Sequence, residues 1–421
     1  MDYLDSRDAD AFWLMFGATL VFFMQCGFAM LEVGYVQQKN TKNILVKNVF
    51  DASIGALCWW LSGYGIAMGS GTHKTIMGSD SYVLGIDLYS KPMWLFQWAF
   101  CATASTIVSG AVAERITFSS YLLISTLLTS VIYPVIVHIA WGNGFASAWR
   151  TGNLLSGCGA TDFAGSGVVH ATGGIAALVT CYLLGPRIGR FDKGKVKTIP
   201  QQSIIYQTLG TLILWLGWYG FNGVSTIYIN NFGGVAAHTM VTTTIAAATG
   251  CLTTTGIGYL HDGVISPNNA NNGVLAGLVS ITAGCSTCSP EGAFVIALFG
   301  SPIYYYSNKL LLKMQIDDVV GSVPIHGFCG IWGVIAASLF ATPHYYSHAY
   351  YSDRAEKCAG LFYGGKGNLF LANMQFILFL IAWVGLTTTL IVYPLKHFGL
   401  LRVTKEEEII GMDDSKHNNK I

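Results

Sequence analysis

Charged residues are scarce in this sequence. Of its 421 residues only 11% are Asp, Glu, Lys or Arg, whereas 52% are hydrophobic. Soluble globular domains carry about twice that share of charge. The scarcity argues against a soluble domain, and the 49 glycines suit membrane helices, in which glycine is more frequent than in soluble helices. The composition therefore indicates an all-α polytopic membrane protein.

The sequence lacks the basic clusters that are typical of nucleic-acid-binding proteins and of cleaved signal peptides. The net charge is +1 and no basic patch suited to nucleic acid is visible, so we expect no nucleic-acid partner. The N-terminus, MDYLDSRDAD, is acidic and lacks the basic region that opens a cleaved signal peptide. We therefore expect the first apolar segment to be retained as a membrane span.

The ten cysteines lie mostly inside apolar runs, where they behave as small apolar residues. Cys285 and Cys288 form a CxxC pair. No histidine or second CxxC accompanies it, so the sequence favours a disulfide or simple packing over a metal site. Cys158 and Cys358 fall in loops predicted on the same face of the membrane, which leaves a disulfide between them open.

Long apolar segments recur along the whole chain. A helix that crosses a hydrocarbon core of roughly 30 Å needs about 20 apolar residues. We predict eleven such spans, at 11–36, 43–69, 92–113, 118–140, 163–185, 201–223, 233–259, 270–288, 291–311, 322–342 and 369–396. The spans that contain glycine or polar residues should face other helices, because small residues allow close packing in lipid.

Lysine and arginine set the orientation of these spans, because cytoplasmic loops carry an excess of them. With eleven spans the two termini lie on opposite sides. If the N-terminus is outside, 16 of the 23 Lys and Arg residues fall on the inner side and seven on the outer side. The sequence thus predicts an outer N-terminus, a cytoplasmic C-terminus and a multi-pass protein of the cell membrane.

One motif occurs twice. Asp162 opens TDFAGSGVVHATGG and His170 follows eight residues later; Asp318 opens DVVGSVPIHGFCG and His326 follows at the same spacing. Around each histidine a glycine lies five residues before, a serine four residues before and a glycine four residues after. Ionisable residues inside the membrane are costly and mark functional sites.

The two copies fall in spans five and ten, which cross the membrane in opposite directions. Spans 1–5 and 6–10 therefore form an inverted repeat, followed by an eleventh helix, and such repeats place a shared site near the bilayer midplane. Each histidine lies about eight residues, or roughly 12 Å, inside its helix. We expect the two imidazoles to meet near the membrane centre.

Paired intramembrane imidazoles have three interpretations. They could be hydrogen-bonded core residues, although two at matching repeat positions make this less attractive than it is for one. They could hold a metal, but zinc needs a third and fourth ligand and only Cys329 is near at helical spacing. They could form a polar wire in an apolar tube, since each neutral ring offers one donor and one acceptor.

A polar wire of this kind suits a small weak base. An unpaired ion costs tens of kcal/mol in an apolar medium on Born estimates, whereas a weak base can shed its proton and cross as a neutral molecule. Imidazole, with a pKa of about 6.5, can hold that proton near neutrality.

Aromatic residues could collect the cation at the outer end. Phe96 and Phe100 are one helical turn apart, Trp141 follows span four, and Ser225, after span six, could accept a hydrogen bond. Aromatic faces attract ammonium-like cations by roughly 0.5–2 kcal/mol. Aromatic belts at membrane interfaces are the plain alternative.

The chain closely resembles the ammonium transporter family (Amt/Mep/Rh), in particular its Amt branch. The resemblance covers nearly the whole chain. It rests on QCGFAMLEVG (25–34), KNILVKNVFDASIGALCWWLSGYG (42–65), FQWAFCATASTIVSGAVAERITF (96–118), YPVIVHIAWGNG (133–144), DFAGSGVVHATGG (162–174), GWYGFNGVS (217–225), DDVVGSVPIHGFCGIWG (317–333) and LRVTKEEEIIGMDD (401–414).

The resemblance implies a homotrimer with one pore in each eleven-helix subunit, and it makes His170 and His326 the twin pore histidines. It implies further roles at the outer end: Phe96, Trp141, Ser225 and Asp162 in ammonium recruitment, the last without direct contact, and Phe100 and Phe221 in a stacked phenyl gate.

The resemblance also divides the chain into a transmembrane domain at 1–400 and a cytoplasmic tail at 401–421. It places Gly411 and Ser415 in a regulatory tail that docks on the inner loops of a neighbouring subunit. We hypothesise that Ser415 is phosphorylated, because it matches a phosphorylatable threonine in plant relatives. Asn418 stands where family tails often have glycine, which puts the position of this tail in gating in doubt.

The sequence thus predicts an ammonium transporter and not an enzyme, with no cofactor and with methylammonium as an analogue of its substrate. The alternatives are a passive, Rh-like ammonia channel and a transceptor that senses ammonium. Trp141 and Ser225 favour transport, because a cation cage serves little purpose for a neutral gas. The sequence does not identify a cytoplasmic regulator.

Overall fold

Helices make up most of the computed structural model, which describes residues 6–83 and 88–418. In chain order they are α1 Ser6–Tyr35, α2 Gln38–Met68, α3 Lys91–Ala111, α4 Phe118–Ala140, α5 Ser166–Leu184, α6 Ile204–Trp218, α7 Gly233–Asp262, α8 Pro267–Ile281, α9 Pro290–Lys313, α10 Val323–Phe340, α11 Pro343–Ala349, α12 Asn368–His397 and α13 Lys405–Ile410. A short antiparallel hairpin, β1 Phe191–Asp192 with β2 Lys195–Val196, lies between α5 and α6.

The predicted all-helical membrane class is confirmed. Seven of the described helices, namely α1, α2, α4, α5, α7, α10 and α12, are long and apolar enough to cross a membrane. Helices also lie at the other four predicted positions, but their crossing of the membrane stays a prediction. Residues 1–5, which begin the acidic N-terminal stretch, and residues 419–421 lie outside the described part of the chain.

The eighth predicted span ends earlier than expected. The helix α8 stops at Ile281, whereas the apolar run continues to residue 288. Its unwound end instead pairs with the segment before α5: Phe163 N–H donates to the Ala283 carbonyl at 3.0 Å, and Ala164 N–H donates to the Thr282 carbonyl at 3.1 Å. Buried backbone groups that leave a helix need such partners, so the two irregular segments satisfy each other.

The helices pack in pairs that follow the proposed repeat. The helix α1 runs along α6, so the first helices of the two units are in contact, and α5 crosses α10, so the last helices are in contact. The helix α12 packs against α5 and α10. The site described below lies where α5 and α10 cross.

Ion pairs secure the face that carries the α5–α6 hairpin. The Asp317 carboxylate is buried and receives Arg187 at 2.8 Å and Arg190 at 3.2 Å, and Arg187 also contacts Glu114 at 2.9 Å. Burial alone would raise the pKa of Asp317, but the Arg187 hydrogen bonds and the arginine charges outweigh it and hold this pKa below its usual range. The loop before α10 is thereby fixed to the loop after α5.

The structure decides between the alternatives that the cysteines left open. Cys158 and Cys358 form a disulfide, with 5.6 Å between their Cα atoms, which joins the segment before α5 to the segment before α12. Cys285 and Cys288 are both free thiols and fully buried. The packing interpretation of the CxxC pair is therefore correct.

Candidate functional site

The two repeated histidines lie side by side where α5 and α10 cross. His170 stands in the π-helical turn Ser166–Ala171 and His326 in the π-helical turn Val323–Phe328. Their Nδ1 atoms are 3.2 Å apart and both side chains are buried. The rings stack with 5.2 Å between centroids and 25° between planes. The structure thus brings together the two imidazoles that the repeat placed at matching depths.

The aspartate of each motif copy explains the local start of its helix. One Asp162 carboxylate oxygen, Oδ2, accepts hydrogen bonds from the N–H groups of Gly167 at 3.0 Å and Val168 at 2.7 Å. In the second copy, Asp318 accepts hydrogen bonds from the N–H of Val323, the first residue of α10, at 2.6 Å and from the N–H of Gly321, just before the helix, at 3.0 Å. These carboxylates satisfy first-turn N–H groups that have no helical partner. The histidines therefore sit on helix starts with fixed backbones.

The glycines that follow the histidines let α5 and α10 approach closely. A Cβ atom on Gly174 would lie 2.2 Å from the backbone nitrogen of Gly327, and one on Gly330 would lie 2.5 Å from the carbonyl oxygen of Ser166. Small residues at membrane helix crossings permit such backbone approach. The repeated glycine four residues after each histidine is thus what allows the rings to touch.

The contact between the two Nδ1 atoms determines how protons are arranged. A neutral imidazole has one donor and one acceptor nitrogen, so one ring donates through Nδ1 and the other accepts. The Nε2 atom of the donating ring then carries a lone pair, and that of the accepting ring carries a proton. Nε2 of His170 has no hydrogen-bond partner within the described residues. The pair is a polar wire whose two ends differ in hydrogen-bonding character.

The histidines belong to a column of aromatic rings. Consecutive distances between ring centroids are 4.8 Å for Phe96–Phe100, 4.0 Å for Phe100–Phe221, 5.3 Å for Phe221–His170, 5.2 Å for His170–His326 and 6.1 Å for His326–Phe28. Phe100 and Phe221 stack with 22° between their planes. The two phenyl rings assigned to a gate by the resemblance are therefore stacked directly on the His170 side of the pair.

A cavity of about 430 Å³, which we call the vestibule, opens at the Phe96 end of the column. Its wall includes Phe96, Trp141 and Ser225, the three residues expected to contact a cation. Asp162 does not line the vestibule, but it holds Trp141 in the wall: its backbone carbonyl accepts the indole N–H of Trp141 at 2.7 Å. Phe100 forms the floor of the vestibule, with its ring edge-on to Trp141 at 5.9 Å.

The Ser225 hydroxyl is oriented to accept a hydrogen bond from a solute. It donates its proton to the Phe221 carbonyl at 2.7 Å, which leaves the oxygen lone pairs available to an N–H donor. The same bond ties the vestibule wall to the backbone of the phenyl pair. A cation with N–H groups would therefore meet both aromatic faces and a hydrogen-bond acceptor.

Other site residues escaped the sequence reasoning. Trp149, Phe163 and Tyr350 line the vestibule, and the Trp149 and Tyr350 rings stack 4.4 Å apart. Trp218 stacks on His170 at 5.1 Å and is held by a 2.9 Å hydrogen bond from its indole N–H to Thr282. No periodicity or spacing marks these residues, because they come from loops or from a helix whose aromatics look like ordinary core.

A second cavity, of about 290 Å³, lies beyond the Phe28 end of the column and has a polar lining. Within it, Tyr35 donates to the Asn272 side chain at 3.0 Å, and Asn272 donates to the Tyr304 hydroxyl at 2.7 Å. Asp318 also belongs to this lining. The buried histidines are thus bracketed by an aromatic cavity on one side and a polar cavity on the other.

The geometry around the histidines gives little support to a metal there. Cys329, the one further ligand that the sequence suggested, donates its thiol to the Gly300 carbonyl at 3.6 Å. Across the described ranges no group of three or more His, Cys, Asp or Glu side chains is placed to hold a metal ion. The direct contact between the Nδ1 atoms leaves no room for an ion between them.

The C-terminal segment folds back onto the start of α2. Gly411 has a φ of 112°, and a Cβ atom there would lie 2.7 Å from Cβ of Lys39. Such a conformation in such a space suits only glycine. The Ser415 hydroxyl donates to the Gly411 carbonyl at 2.8 Å.

Asp413 anchors the same segment. Its two carboxylate oxygens accept from the N–H groups of Lys42 and Asn43, each at 3.0 Å. Asn418 accepts from the Lys42 ammonium at 2.8 Å, so the asparagine that departs from the family pattern also takes part in docking. These contacts lie within one chain, whereas the resemblance implies docking on a neighbouring subunit.

The sequence model of the Ammonium Transporter Family matches residues 11–420. Ammonium transporter Amt2 of Archaeoglobus fulgidus is 39% identical over 418 residues, which cover 97% of this chain and 87% of the relative. Ammonium transporter 1 member 1 of Oryza sativa subsp. japonica is 41% identical over 441 residues, which cover 99% of this chain and 87% of the relative.

Solved structures of similar fold include a protein described as a Sensor Amt Protein. It has a TM-score of 0.88 and 30% identity, covering 98% of this chain and 99% of its own. Mep2 of Candida albicans has a TM-score of 0.83 and 25% identity, covering 96% of this chain and 89% of its own.

Proposed function

This chain belongs to the ammonium transporter family, and from that premise we propose that it recruits ammonium in the vestibule, removes its proton and conducts ammonia past His170 and His326. The proton follows along the histidine pair, so that transport carries charge. The membrane is the cell membrane.

One observation carries this proposal: the two buried imidazoles touch through Nδ1, at 3.2 Å, directly below two stacked phenyl rings. Apart from the imidazoles, the column is apolar, so a permanent cation entering it would lose its hydration without an opposite charge in return. A neutral molecule with one lone pair and N–H groups can hydrogen-bond to the free Nε2 of His170. The site fits ammonia better than ammonium.

The vestibule supplies the step before deprotonation. Aromatic faces attract ammonium-like cations by roughly 0.5–2 kcal/mol, and the Ser225 oxygen accepts an N–H. Potassium has the same charge but no proton to donate or lose. Rejection of potassium therefore follows from the chemistry of the column and not from the size of the vestibule.

We further propose the predicted assembly: eleven spans with an inverted repeat of spans 1–5 and 6–10, an outer N-terminus, a membrane domain at 1–400, a cytoplasmic tail at 401–421, and a homotrimer with one pore in each subunit. The paired packing of α1 with α6 and of α5 with α10 supports the repeat. So do the matching aspartates, positive-φ glycines and π-helical turns at His170 and His326.

The test is methylammonium uptake in cells that lack their own ammonium uptake. We expect His170→Ala to reduce selective uptake by about 100-fold or more, the scale on which proton-transfer groups act, while the oligomer on size-exclusion chromatography stays unchanged. His261→Ala, which removes an exposed histidine of α7, is the matched control and should transport like the parent. Uptake by His170→Ala equal to that of the control would contradict the proposal.

A passive ammonia channel differs from this proposal in charge movement. The acceptor on Ser225 and the aromatic wall of the vestibule favour a cation. We expect an inward current when ammonium is added to voltage-clamped cells that express the protein. Uptake without any current would assign the chain to the gas-channel alternative.

Sensing is a second candidate function, and the likeness to a protein described as a Sensor Amt Protein favours it. A transceptor would signal even when transport is blocked. In that case cells carrying His170→Ala would still show the ammonium-dependent response of cells carrying the parent. Loss of uptake and response together would leave transport as the function.

A further inference from the structure

The short helix α11 carries two histidines that neither the column nor the vestibule uses. His344 and His348 lie four residues apart on α11 and are exposed. Residues at this spacing share one face of a helix. The two imidazole centroids are 4.8 Å apart.

The hydrogen bonding of His348 leaves one nitrogen ready to bind a metal. Its Nδ1 atom lies 2.8 Å from the carbonyl oxygen of His344. Because a carbonyl can only accept, Nδ1 carries the proton and Nε2 carries the lone pair. Metal-binding histidines typically donate their second ring nitrogen to a carbonyl or carboxylate in this way.

The backbone beneath the two rings is held firmly. Thr342 caps α11 by accepting the N–H of Tyr345 at 3.1 Å. Tyr346, between the histidines, is fully buried and stacks on Tyr350 at 5.0 Å. The His348 ring is held as well, by its bond to the His344 carbonyl, so a fixed helix presents both exposed imidazoles.

The charge next to α11 also suits a cation. A cleft beside His344 is lined by the Glu356 carboxylate, and among the described residues of this lining there is no lysine or arginine. On the other side, Ala349 and Tyr350 belong to the wall of the vestibule. The C-terminal end of α11 therefore reaches the vestibule wall, although neither histidine lines the vestibule.

We propose that His344 and His348 form a two-histidine site for a divalent transition metal. Imidazole nitrogens suit Cu²⁺, Ni²⁺ and Zn²⁺, with affinity rising from Ni²⁺ to Cu²⁺ and lower for Zn²⁺ than for Cu²⁺. Two nitrogens at one helical turn can each approach an ion at about 2.0–2.1 Å, the Zn–N distance in proteins. Water completes the coordination, because the described residues place no third ligand against the pair.

The test uses the full-length protein in detergent, purified without a polyhistidine tag, and does not depend on transport. Titration with NiCl2 by calorimetry should reveal one site in each chain. His344→Gln and His348→Gln should each weaken binding by more than about tenfold. His397→Gln, which removes a single exposed histidine from the end of α12, is the matched control and should bind like the parent.

A second, spectroscopic experiment identifies which side chains bind the metal. With one equivalent of Cu²⁺, the electron paramagnetic resonance spectrum of the parent should contain splitting from two imidazole nitrogens, and that of His348→Gln from one. Equal Ni²⁺ affinity in the parent and in His344→Gln would overturn the proposal. A parent Cu²⁺ spectrum with one imidazole nitrogen or none would overturn it as well. Size-exclusion profiles that match the parent establish that the variants are folded.

Discussion

Asp162 supports the site through two different oxygen atoms. Its carboxylate Oδ2 holds the first turn of α5 through Gly167 and Val168, and its backbone carbonyl holds the indole of Trp141. The helix that presents His170 and the wall of the vestibule therefore share one anchor. A change at this residue should disturb both, although the residue lines neither the vestibule nor the column.

Two substitutions of Asp162 distinguish its role as a hydrogen-bond acceptor from the role of its negative charge. Asp162→Asn keeps one acceptor oxygen, so we expect a folded oligomer with reduced methylammonium uptake. Asp162→Ala leaves two buried N–H groups unpaired, at a cost of about 1–3 kcal/mol each, so we expect a lower unfolding temperature as well. Asp353→Ala, at an exposed position, is the control. If Asp162→Ala unfolds at the same temperature as that control, the capping role is wrong.

The sequence predicted individual residues unevenly. His170 and His326 follow from spacing alone, because two copies of a motif fix their depth. Phe96, Phe100, Phe221, Trp141 and Ser225 needed the resemblance, since aromatics at an interface are common. Trp149 and Tyr350 could not be found, because their contact depends on how the loop before α5 meets the one after α11.

At the scale of helices, the site depends on how closely α5 and α10 approach. The distance between the rings is set by backbones that meet at Gly174 and Gly327. A β-carbon here would push the helices apart. Hydrogen bonds form only over a narrow range of distances. The contact between Nδ1 of His170 and Nδ1 of His326 would therefore be lost by a displacement that the fold still tolerates.

Gly174→Ala tests this crossing. Alanine normally stabilises a helix by about 0.8–1.0 kcal/mol relative to glycine, but here its Cβ would stand 2.2 Å from the Gly327 nitrogen. We expect reduced thermal stability and loss of uptake. Gly385→Ala in α12, where nothing lies within 4 Å of the added Cβ, is the matched control and should be as stable as the parent or slightly more so. Equal stability of the two variants would refute the close-crossing argument.

Helix positions were predictable from hydropathy, whereas helix ends were not. Apolar runs locate each helix, because lipid and packed helices both favour apolar side chains. The end of α8 differs because residues 282 and 283 leave the helix to pair with the backbone before α5. Hydropathy carries no information about such pairing, since the hydrogen bonds are made by backbone groups and not by side chains.

For the whole molecule, symmetry was the most informative feature of the sequence. The direction of each span follows from counting, so the repeat indicated inverted units before any contact was known. The disulfide between Cys158 and Cys358 was only one open pairing among ten cysteines, because loop positions on one face do not fix distances. The bonding of the tail to α2 was equally hidden, since it depends on backbone groups of the same chain.

The docked tail joins the C-terminal segment to the start of α2, and Gly411 lies at the closest part of this contact. Gly411→Ala would combine backbone strain with a Cβ 2.7 Å from Lys39. We expect the tail to detach, which faster proteolysis after Lys405 would reveal, and uptake to fall. Gly399→Ala also changes a glycine of positive φ, here 70°, but into open space, so it should retain the docked tail. Identical proteolysis of the two variants would show that the Lys39 contact is unimportant.

Selectivity between ammonium and potassium tests the central claim most directly, because only ammonium can lose a proton before the column. The measurement is the flux of methylammonium and of potassium into liposomes that contain the purified protein, under equal gradients. We predict protein-dependent methylammonium flux, no protein-dependent potassium flux, and loss of the methylammonium flux in His170→Ala. A potassium flux comparable to that of methylammonium in the parent would mean that a permanent cation can pass the two histidines, and would contradict the account.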